Sequence, residues 1–195
     1  MFWAMASRGA LILLCSWALV ARAAEPFGMD LNGHPVEQIV PAGAKAVVLF
    51  FAASDCPIAN RYIPEIERLA DEFAPDRVRF WWVYPNPSDT AAVVRHHDEE
   101  FHIRGDAVLD TEQRLTRMAH ATITPEVAVF VASPDGLREV YMGRIDDRYL
   151  ALGQERPEAT QHDLETAIRA TLAHRPAPQP GGPAVGCSIV PRTAP

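Results

Sequence analysis

Two cysteines are the residues of this sequence whose type and setting best suit redox chemistry. Cys56 stands where an apolar run, Lys45 to Ala52, gives way to a helical pattern, with Pro57 directly behind it. Unpaired backbone N–H groups and the macrodipole favour thiolate over thiol at a helix N-terminus, so the sequence predicts a nucleophilic Cys56. The alternative is an inert buried thiol, since free cysteine is among the most buried residue types.

The second cysteine, Cys187, lies in a C-terminal tail behind a Pro-rich segment, Arg175 to Pro183. From His174 to Cys187 the chain advances 13 residues, which span on the order of 40 Å when extended at ~3.1 Å per residue. A domain of this length has a radius of gyration of roughly 15 Å, so the tail can return to Cys56. The alternative is a frayed tail with an incidental or intermolecular thiol.

Two charged residues are further candidates for the site. Asp55 precedes Cys56. If Asp55 is ionised, its nearby charge raises the pKa of the Cys56 thiol. Alternatively, the carboxylate accepts the proton of the thiol. Arg144 brings positive charge to Cys56 if its strand lies beside the site. Otherwise Arg144 pairs with Asp146 or Asp147 on the surface.

Histidines near the middle of the chain stand among acidic residues and suggest a metal site. On a helix, His96 and Glu100 have the i, i+4 spacing that would let them share an ion, but such runs are more often solvated helix faces. We therefore expect a solvated face and no bound metal. His162, near the start of the last predicted helix, could approach the tail. The full run is His96, His97, Asp98, Glu99, Glu100 and His102.

The first 23 residues read as a secretory signal peptide. Arg8 precedes an apolar stretch of 12 residues, Gly9 to Val20, and Ala21 and Ala23 form an A-x-A cleavage pattern. This stretch is well short of the ~20 apolar residues that span a bilayer, so we expect no stable membrane span after cleavage. The predicted location is periplasmic or extracellular, where a pair of cysteines can form a disulfide.

Composition excludes nucleic acid as a partner. The formal charge of −7 becomes −9 when Arg8 and Arg22 leave with the signal peptide, and Lys45 is the single lysine. An acidic protein without a basic cluster has no electrostatic footprint for phosphates.

At 195 residues and 48% hydrophobic composition, the chain is expected to form one domain, at 24–175, followed by a linker and tail at 176–195.

The remaining pattern predicts an α/β fold in which strands alternate with helices around a mixed sheet. Asn32-Gly33 marks a hairpin turn. Pro57 suits the first helical position behind an N-cap at Cys56. Predicted strands are 45–52, 78–84, 107–109, 126–132 and 137–144, and predicted helices are 57–74, 88–101 capped by Ser88, 110–120 capped by Asp110, and 160–174 capped by Thr160.

These residues resemble the thioredoxin-like superfamily, specifically exported bacterial redoxins of the AhpC/TSA and TlpA kind. The resemblance covers about Phe27 to Arg175. Asp55-Cys56-Pro57 matches the nucleophile position of the family, and Thr124-Pro125-Glu126 matches its cis-proline, which lies against the nucleophilic sulfur. Gly143 to Asp147, together with the tail Ala184 to Ile189, is similar to a subgroup of poorly defined role.

Departures from the family pattern matter as much as the matches. Thioredoxins and TlpA-like reductases carry C-x-x-C and copper chaperones of the Sco type carry C-x-x-x-C, but Ala59 and Asn60 occupy those second positions here. Peroxiredoxins place proline and threonine where this chain has Leu49 and Ala53. A local dithiol is therefore excluded, and the usual peroxide-binding residues are missing.

The resemblance implies a thiol-disulfide oxidoreductase in which Cys56 is the nucleophile and Cys187 the candidate resolving cysteine. Pro125, Asp55 and Arg144 complete the expected site. No cofactor is implied, and the expected partner is a redox protein or a disulfide substrate. Three alternatives stay open: a weak thiol peroxidase, a copper-binding or copper-delivery module that uses Cys56 and Cys187 with or without His162, and a non-catalytic redoxin whose disulfide fastens the tail.

Overall fold

The structure is a computed structural model that describes residues 25–134 and 136–192. The predicted signal peptide lies outside the described residues. None of the described helices is long and apolar enough to cross a membrane. The strands are β1 Gly28–Met29, β2 Pro35–Val36, β3 Ala46–Phe51, β4 Val78–Tyr84, β5 Asp106–Leu109, β6 Ile123–Thr124, β7 Glu126–Ser133, β8 Gly136–Gly143, β9 Tyr149–Ala151, β10 Gln154–Glu155 and β11 Cys187–Ser188, and the helices are α1 Pro57–Phe73, α2 Ala91–Phe101, α3 Arg114–Met118 and α4 Asp163–Leu172.

Seven strands form one mixed sheet in the order β2-β1-β5-β4-β3-β7-β8. β3 runs parallel to β4, and β4 runs parallel to β5. β7 is antiparallel to β3 and continues into the β7–β8 hairpin. This arrangement confirms the expected α/β class with a central mixed sheet and helices against it. β6 and β11 form a separate two-stranded sheet.

β3 occupies the middle of the sheet and fixes the start of the loop that carries Cys56. All six of its residues are buried, and its alternate side chains enter the two hydrophobic clusters that cover opposite faces of the sheet. Phe50 packs edge to face on Trp82, with ring centroids 5.0 Å apart. Because both faces of β3 are packed, the chain emerging from its C-terminal end has little freedom, and that end leads directly to Cys56.

Two of the predicted helix caps are wrong. α2 begins after Thr90 rather than Ser88, and the Thr90 hydroxyl accepts the N–H of Val93. α4 begins at Asp163 after His162, without a side-chain cap. Thr160 bonds to the Asp147 carboxylate instead, through both its backbone N–H and its hydroxyl. Thr160 therefore does not cap α4, because both its backbone N–H and its hydroxyl are bonded to the Asp147 carboxylate.

Asp110 performs the capping that the sequence predicts, although α3 begins later than expected. Its fully buried carboxylate accepts the backbone N–H groups of Arg114 at 2.6 Å, Leu115 at 3.2 Å and Thr116 at 2.8 Å. Gln113 enters the helix in the left-handed region, at φ 52°. The carboxylate thus satisfies the first free N–H groups of the helix from a position outside it.

Candidate functional site

Cys56 is the N-cap residue of α1, and Pro57 is at the first helical position, as the sequence predicts. Its side chain is fully buried. The Cys56 thiol donates a hydrogen bond to the backbone carbonyl of Thr124, over an S–O distance of 3.1 Å. The Thr124–Pro125 peptide bond is cis, which confirms the expectation drawn from the Thr-Pro-Glu run. The cysteine and the cis-proline loop therefore meet at the end of the central strand.

Cys187 lies beside Cys56. β11 pairs antiparallel with β6, and this register places Cys187 opposite Thr124, the residue whose carbonyl accepts the Cys56 thiol. Cys187 packs against the buried cluster that contains Cys56, and both cysteines are free thiols. Burial, and then the neighbouring Cys56, raise the pKa of Cys187 to about 12. Cys187 is accordingly held as a protonated thiol at neutral pH.

The tail is first held upstream of Cys187, by Arg144. The Arg144 guanidinium bonds to Asp163 at 2.8 Å and to Gln161 at 2.6 Å, and the N–H of Gly181 donates to the other oxygen of Asp163. The Arg144 and Asp163 side chains are only 11% and 10% exposed. A β-carbon on Gly181 would lie 2.6 Å from the Arg144 guanidinium and closer still to the Gln161 side-chain oxygen, so these side chains would have to shift to admit it. Arg144 therefore acts on the tail that carries Cys187.

This arrangement corrects the alternative in which Arg144 pairs with Asp146 or Asp147. Asp146 accepts the Tyr62 hydroxyl and the N–H of Arg148, and burial raises the pKa of this carboxyl. Asp147 is the acceptor that bonds to Thr160. Burial opposes ionisation of Asp147, but the bonds from Thr160 and Gln161 outweigh it and lower its pKa. Both aspartates thus brace the loop between β8 and α4.

A second set of contacts holds the tail downstream of Cys187. Ile189 is 6% exposed and belongs to the hydrophobic cluster on one face of the sheet. The backbone of Val190 donates to the Asn86 side chain at 2.9 Å and accepts from the Gln113 side chain at 2.6 Å. Gln113 also accepts the N–H of Arg192. Sequence reasoning missed Asn86 and Gln113, because no local pattern distinguishes a buried amide from an ordinary turn residue.

His97 corrects the expectation of a solvated helix face. It is 4% exposed, whereas His96 and His102 are exposed. One ring nitrogen lies 2.9 Å from the Asn60 side-chain oxygen and the other lies 3.2 Å from the Tyr84 hydroxyl. Burial lowers the pKa of His97, so the neutral ring is favoured. His97 therefore packs between Asn60 on α1 and Tyr84 on β4, in the interior next to the helix that Cys56 caps.

Asn60 links His97 to Ser54, in the loop that precedes Cys56. Its amide donates to the Ser54 carbonyl at 3.1 Å, and the Ser54 backbone and hydroxyl both donate to Asp89. Asp89 is 1% exposed, and burial raises its pKa. Asp55 itself is exposed, and its charge adds to the rise in the pKa of Cys187. The loop is thus fixed by polar contacts on its inner side, and Asp55 faces outward.

Among residues 25–134 and 136–192, a potential metal-binding group of three is formed by Glu65, His162 and Glu165. Both carboxylates are already paired with Arg68, at 2.7 and 3.0 Å. His162 therefore stands with two glutamates, and this group contains neither cysteine. The two thiols, as placed, offer a soft ion two sulfur ligands.

The site and the sheet that carries it define the thioredoxin-like fold, with a cysteine at the end of a central strand opposite a cis-proline. Solved structures share this fold. An uncharacterized conserved protein from Geobacillus kaustophilus is 24% identical, with 88% of this chain and 91% of that one covered and a TM-score of 0.71. A hypothetical protein from Sinorhizobium meliloti 1021 is 21% identical, with 86% and 91% covered and a TM-score of 0.70.

A secreted Mycobacterium tuberculosis disulfide oxidoreductase homologous to E. coli DsbE is more distantly similar, at 16% identity and a TM-score of 0.50, with 75% of this chain and 93% of that one covered. The model of the AhpC/TSA family matches residues 21–138, which is more than half of the sequence. The chain belongs to the AhpC/TSA family. A search of curated proteins finds no significant match.

Proposed function

We propose that this protein is an exported thiol-disulfide oxidoreductase in which Cys56 attacks a disulfide and Cys187 resolves the product. The observation that carries the proposal is that Cys187, far away in sequence, pairs opposite Thr124, the residue whose carbonyl accepts the Cys56 thiol. The tail is anchored on both sides of Cys187, by Arg144 and Asp163 before it and by Asn86 and Gln113 after it. A thiol held in this way is positioned for reaction with its neighbour.

The proposed reaction is a pair of thiol-disulfide exchanges. The Cys56 thiolate attacks one sulfur of a substrate disulfide, the substrate S–S bond breaks, and one substrate thiolate leaves. The Cys187 thiolate then attacks the Cys56 sulfur of the mixed disulfide and releases the second substrate thiolate. The substrate gains two electrons, the protein is left with a Cys56–Cys187 disulfide, and the two cysteine protons pass to the leaving thiolates.

The other proposed site residues act around this exchange. The Thr124 carbonyl before Pro125 accepts the Cys56 thiol, and Asp55, which is exposed, is proposed to exchange protons with solvent during the reaction. Arg144 is a positioning residue, since its contacts fix the tail. The mechanism needs no cofactor. With Leu49 and Ala53 in place of the peroxiredoxin proline and threonine, any reaction with peroxide is expected to be slow.

The sequence has a third cysteine, Cys15, within the predicted signal peptide. The test therefore uses full-length protein in a Cys15→Ser background, so that Cys56 and Cys187 are its two thiols. Reduced protein is mixed with 5,5′-dithiobis(2-nitrobenzoate), and released thionitrobenzoate is counted. The unsubstituted pair should release two equivalents and yield a Cys56–Cys187 disulfide in non-reducing peptide maps. Cys187→Ser should release one equivalent and retain the other as a mixed disulfide on Cys56. Cys56→Ser should lose the fast phase of thionitrobenzoate release, which the proposal assigns to the Cys56 thiolate.

Two outcomes would overturn this function. The first is that both thiols remain free under oxidising conditions and the maps contain no Cys56–Cys187 peptide. The second is a disulfide that forms but resists dithiothreitol, which would make the bond a fastener for the tail.

Copper binding remains the second candidate, because two adjacent sulfurs suit a soft ion such as Cu(I). Titration of the reduced protein with Cu(I) against a bicinchoninate competitor separates the two functions. Weak binding that is indifferent to Cys56→Ser supports the redox function. Tight, stoichiometric binding that is lost in Cys56→Ser would overturn a purely redox role.

A further inference from the structure

We infer that the edge of β6 selects its substrate, and that this substrate is an extended polypeptide with the pattern Gly-Cys-any-aliphatic, of which the tail is an internal copy. The inference rests on the proposed function and names the substrate class of the same site. Gly186, Cys187 and Ile189 are the template residues of the tail.

Access to Cys56 requires the tail to leave. The Cys56 side chain has no exposed surface, and the tail strand lies against the Thr124 carbonyl that it contacts. β11 has two residues, so few backbone hydrogen bonds are lost when it departs. The departure uncovers the backbone of β6, whose strand partner in the described chain is β11. An incoming strand satisfies those groups in the same register and brings its own cysteine opposite Thr124.

The position before the cysteine accepts only glycine. A β-carbon built on Gly186 would lie 2.0 Å from the Thr124 carbonyl oxygen and 2.7 Å from its carbon. It would also lie 2.9 Å from the Ile123 side chain. The first two contacts are with backbone next to a buried cysteine, so no side-chain rotation relieves them. A partner strand with any larger residue at this place must shift away from the Cys56 sulfur.

The position two residues after the cysteine accepts an aliphatic side chain. Ile189 is 6% exposed and packs in the cluster that includes Leu115 and Ala121, and its N–H bonds to the Thr122 carbonyl at 3.0 Å. A charged residue there would be buried without a partner. Ser188, between Cys187 and Ile189, is exposed, so that position carries no restriction. The result is a glycine, a cysteine, an unrestricted residue and an aliphatic residue in order.

The step with such a substrate is the same thiol-disulfide exchange, with the peptide cysteine in place of Cys187 on β6. Cys56 attacks the sulfur of the peptide cysteine, the peptide S–S bond breaks, and its other half leaves as a thiolate. The tail then competes with the tethered peptide for β6. When Cys187 returns, its thiolate attacks the Cys56 sulfur and the peptide leaves as a thiol.

The probes are three peptides whose cysteine carries a thionitrobenzoate disulfide. The first is acetyl-Val-Gly-Cys-Ser-Ile-Val-amide, the second has alanine for glycine, and the third has aspartate for isoleucine. Thionitrobenzoate release by reduced full-length Cys15→Ser protein is measured for each. Each rate is divided by that of the same peptide with dithiothreitol, which removes differences in intrinsic reactivity. The first peptide is expected to react at least tenfold faster than the other two.

A reciprocal variant of the protein sharpens the test. Gly186→Ala puts the same clash into the tail, so the tail should vacate β6 and the first peptide should react at least fivefold faster than with the parent protein. Ser188→Ala, two residues further on and exposed, is the matched control and should leave the rate unchanged.

Equal normalised rates for the three peptides, in a protein that still forms the Cys56–Cys187 disulfide, would overturn the inference that β6 selects the Gly-Cys-any-aliphatic pattern. The proposed function would still stand. Failure of Cys56 to react with any of the peptides or with the small disulfide would overturn both.

Discussion

The two cysteines meet in space but are held by very different parts of the molecule. Cys56 comes after a six-residue strand that is buried throughout and lies between β4 and β7 in the sheet. Cys187 is on a two-residue strand whose strand partner among the described residues is β6, and a few side-chain contacts hold the segments around it. Local stability in proteins varies widely, and short strands with few buried contacts open first. One cysteine is fixed by the core, and the other is docked by few contacts, so we expect it to be released more easily.

This difference explains how one site can be both assembled and accessible. If both cysteines were fixed as Cys56 is, the buried thiol would never meet a substrate. If both were as loosely attached as Cys187, the sulfur that we propose as the nucleophile would lose its place against the Thr124 carbonyl. Substitutions in the core and in the tail should therefore have separate energetic effects.

The largest effect is expected from truncation in the core behind Cys56. Phe50→Ala removes a ring that is 1% exposed and packed on Trp82, which costs ~3–5 kcal/mol for a phenylalanine of this kind. Urea denaturation followed by circular dichroism measures the free energy of unfolding. Ile189→Ala, in the tail, should lower the same quantity by only ~1.4 kcal/mol, because it weakens docking of the tail and leaves the core packed. An equal loss in the two variants would mean that the tail and the core unfold together.

The next effect is release of the tail. Ile189→Ala removes most of the buried side chain, and we expect alkylation of Cys56 by iodoacetamide to rise at least tenfold, equivalent to ~1.4 kcal/mol of docking free energy. The rate is measured in a Cys15→Ser, Cys187→Ser background, where Cys56 is the single thiol. Val190→Ala is the matched control, since that side chain is 54% exposed and should change the rate less than about twofold. A similar rise in both variants would contradict the role of Ile189.

A smaller effect is expected from high pH. The docked tail raises the pKa of Cys187 to about 12 from an ordinary 9.0, so the docked form holds its proton more tightly than the free tail. The resulting stabilisation is complete below pH 9 and is lost as the pH rises toward 12. Hydrogen exchange of the Ile189 amide, corrected for its intrinsic rate, should show about thirtyfold more opening at pH 10.5 than at pH 8.

Cys187→Ser is the control for that measurement, because serine does not titrate in this range. Its corrected exchange should be nearly independent of pH over the same interval. If both proteins open equally, the titrating group is elsewhere and Cys187 is not the origin of the change.

The smallest effect is expected at low pH, in the contribution of buried His97 to the free energy of unfolding. Burial lowers the pKa of His97, so the unfolded chain takes up its proton first and the stability contributed by the neutral ring is lost as the pH falls below about 6.5. Asp89 and Glu100 oppose this shift. His97→Gln should therefore lose less unfolding free energy than the parent between pH 7 and pH 5. A larger loss in the variant would reverse the assigned direction.

The elements that carry Cys56 could be predicted soundly from the sequence. β3, α1 and the cysteine between them are indicated by an unbroken apolar run, a proline suited to the first helical turn and a 3.6-residue periodicity. These signals are local, because each residue's environment is set by neighbours within one or two turns. The same reasoning misplaced the caps of α2 and α4, where more than one acceptor or hydroxyl competes over a few residues.

The contacts that hold the tail were beyond the reach of sequence reasoning. Arg144 had two acidic neighbours in sequence and bonded to neither, because Asp163 and Gln161 approach it from the last helix region. His97 reads as one of a run of polar residues, yet Tyr84 and Asn60 enclose it from a strand and another helix. In each case the deciding partner is far away in sequence, and spacing carries no information about it.

The sequence by itself determined that Cys56 sits at a strand-to-helix junction, that no second cysteine lies within reach on α1, and that a long enough tail carries Cys187. Only the tertiary structure decided that the tail docks on β6 and that this brings Cys187 beside Cys56. The reason is physical: local preference fixes backbone direction within an element, whereas docking of a tail depends on the packing and hydrogen bonds that the folded surface offers to it.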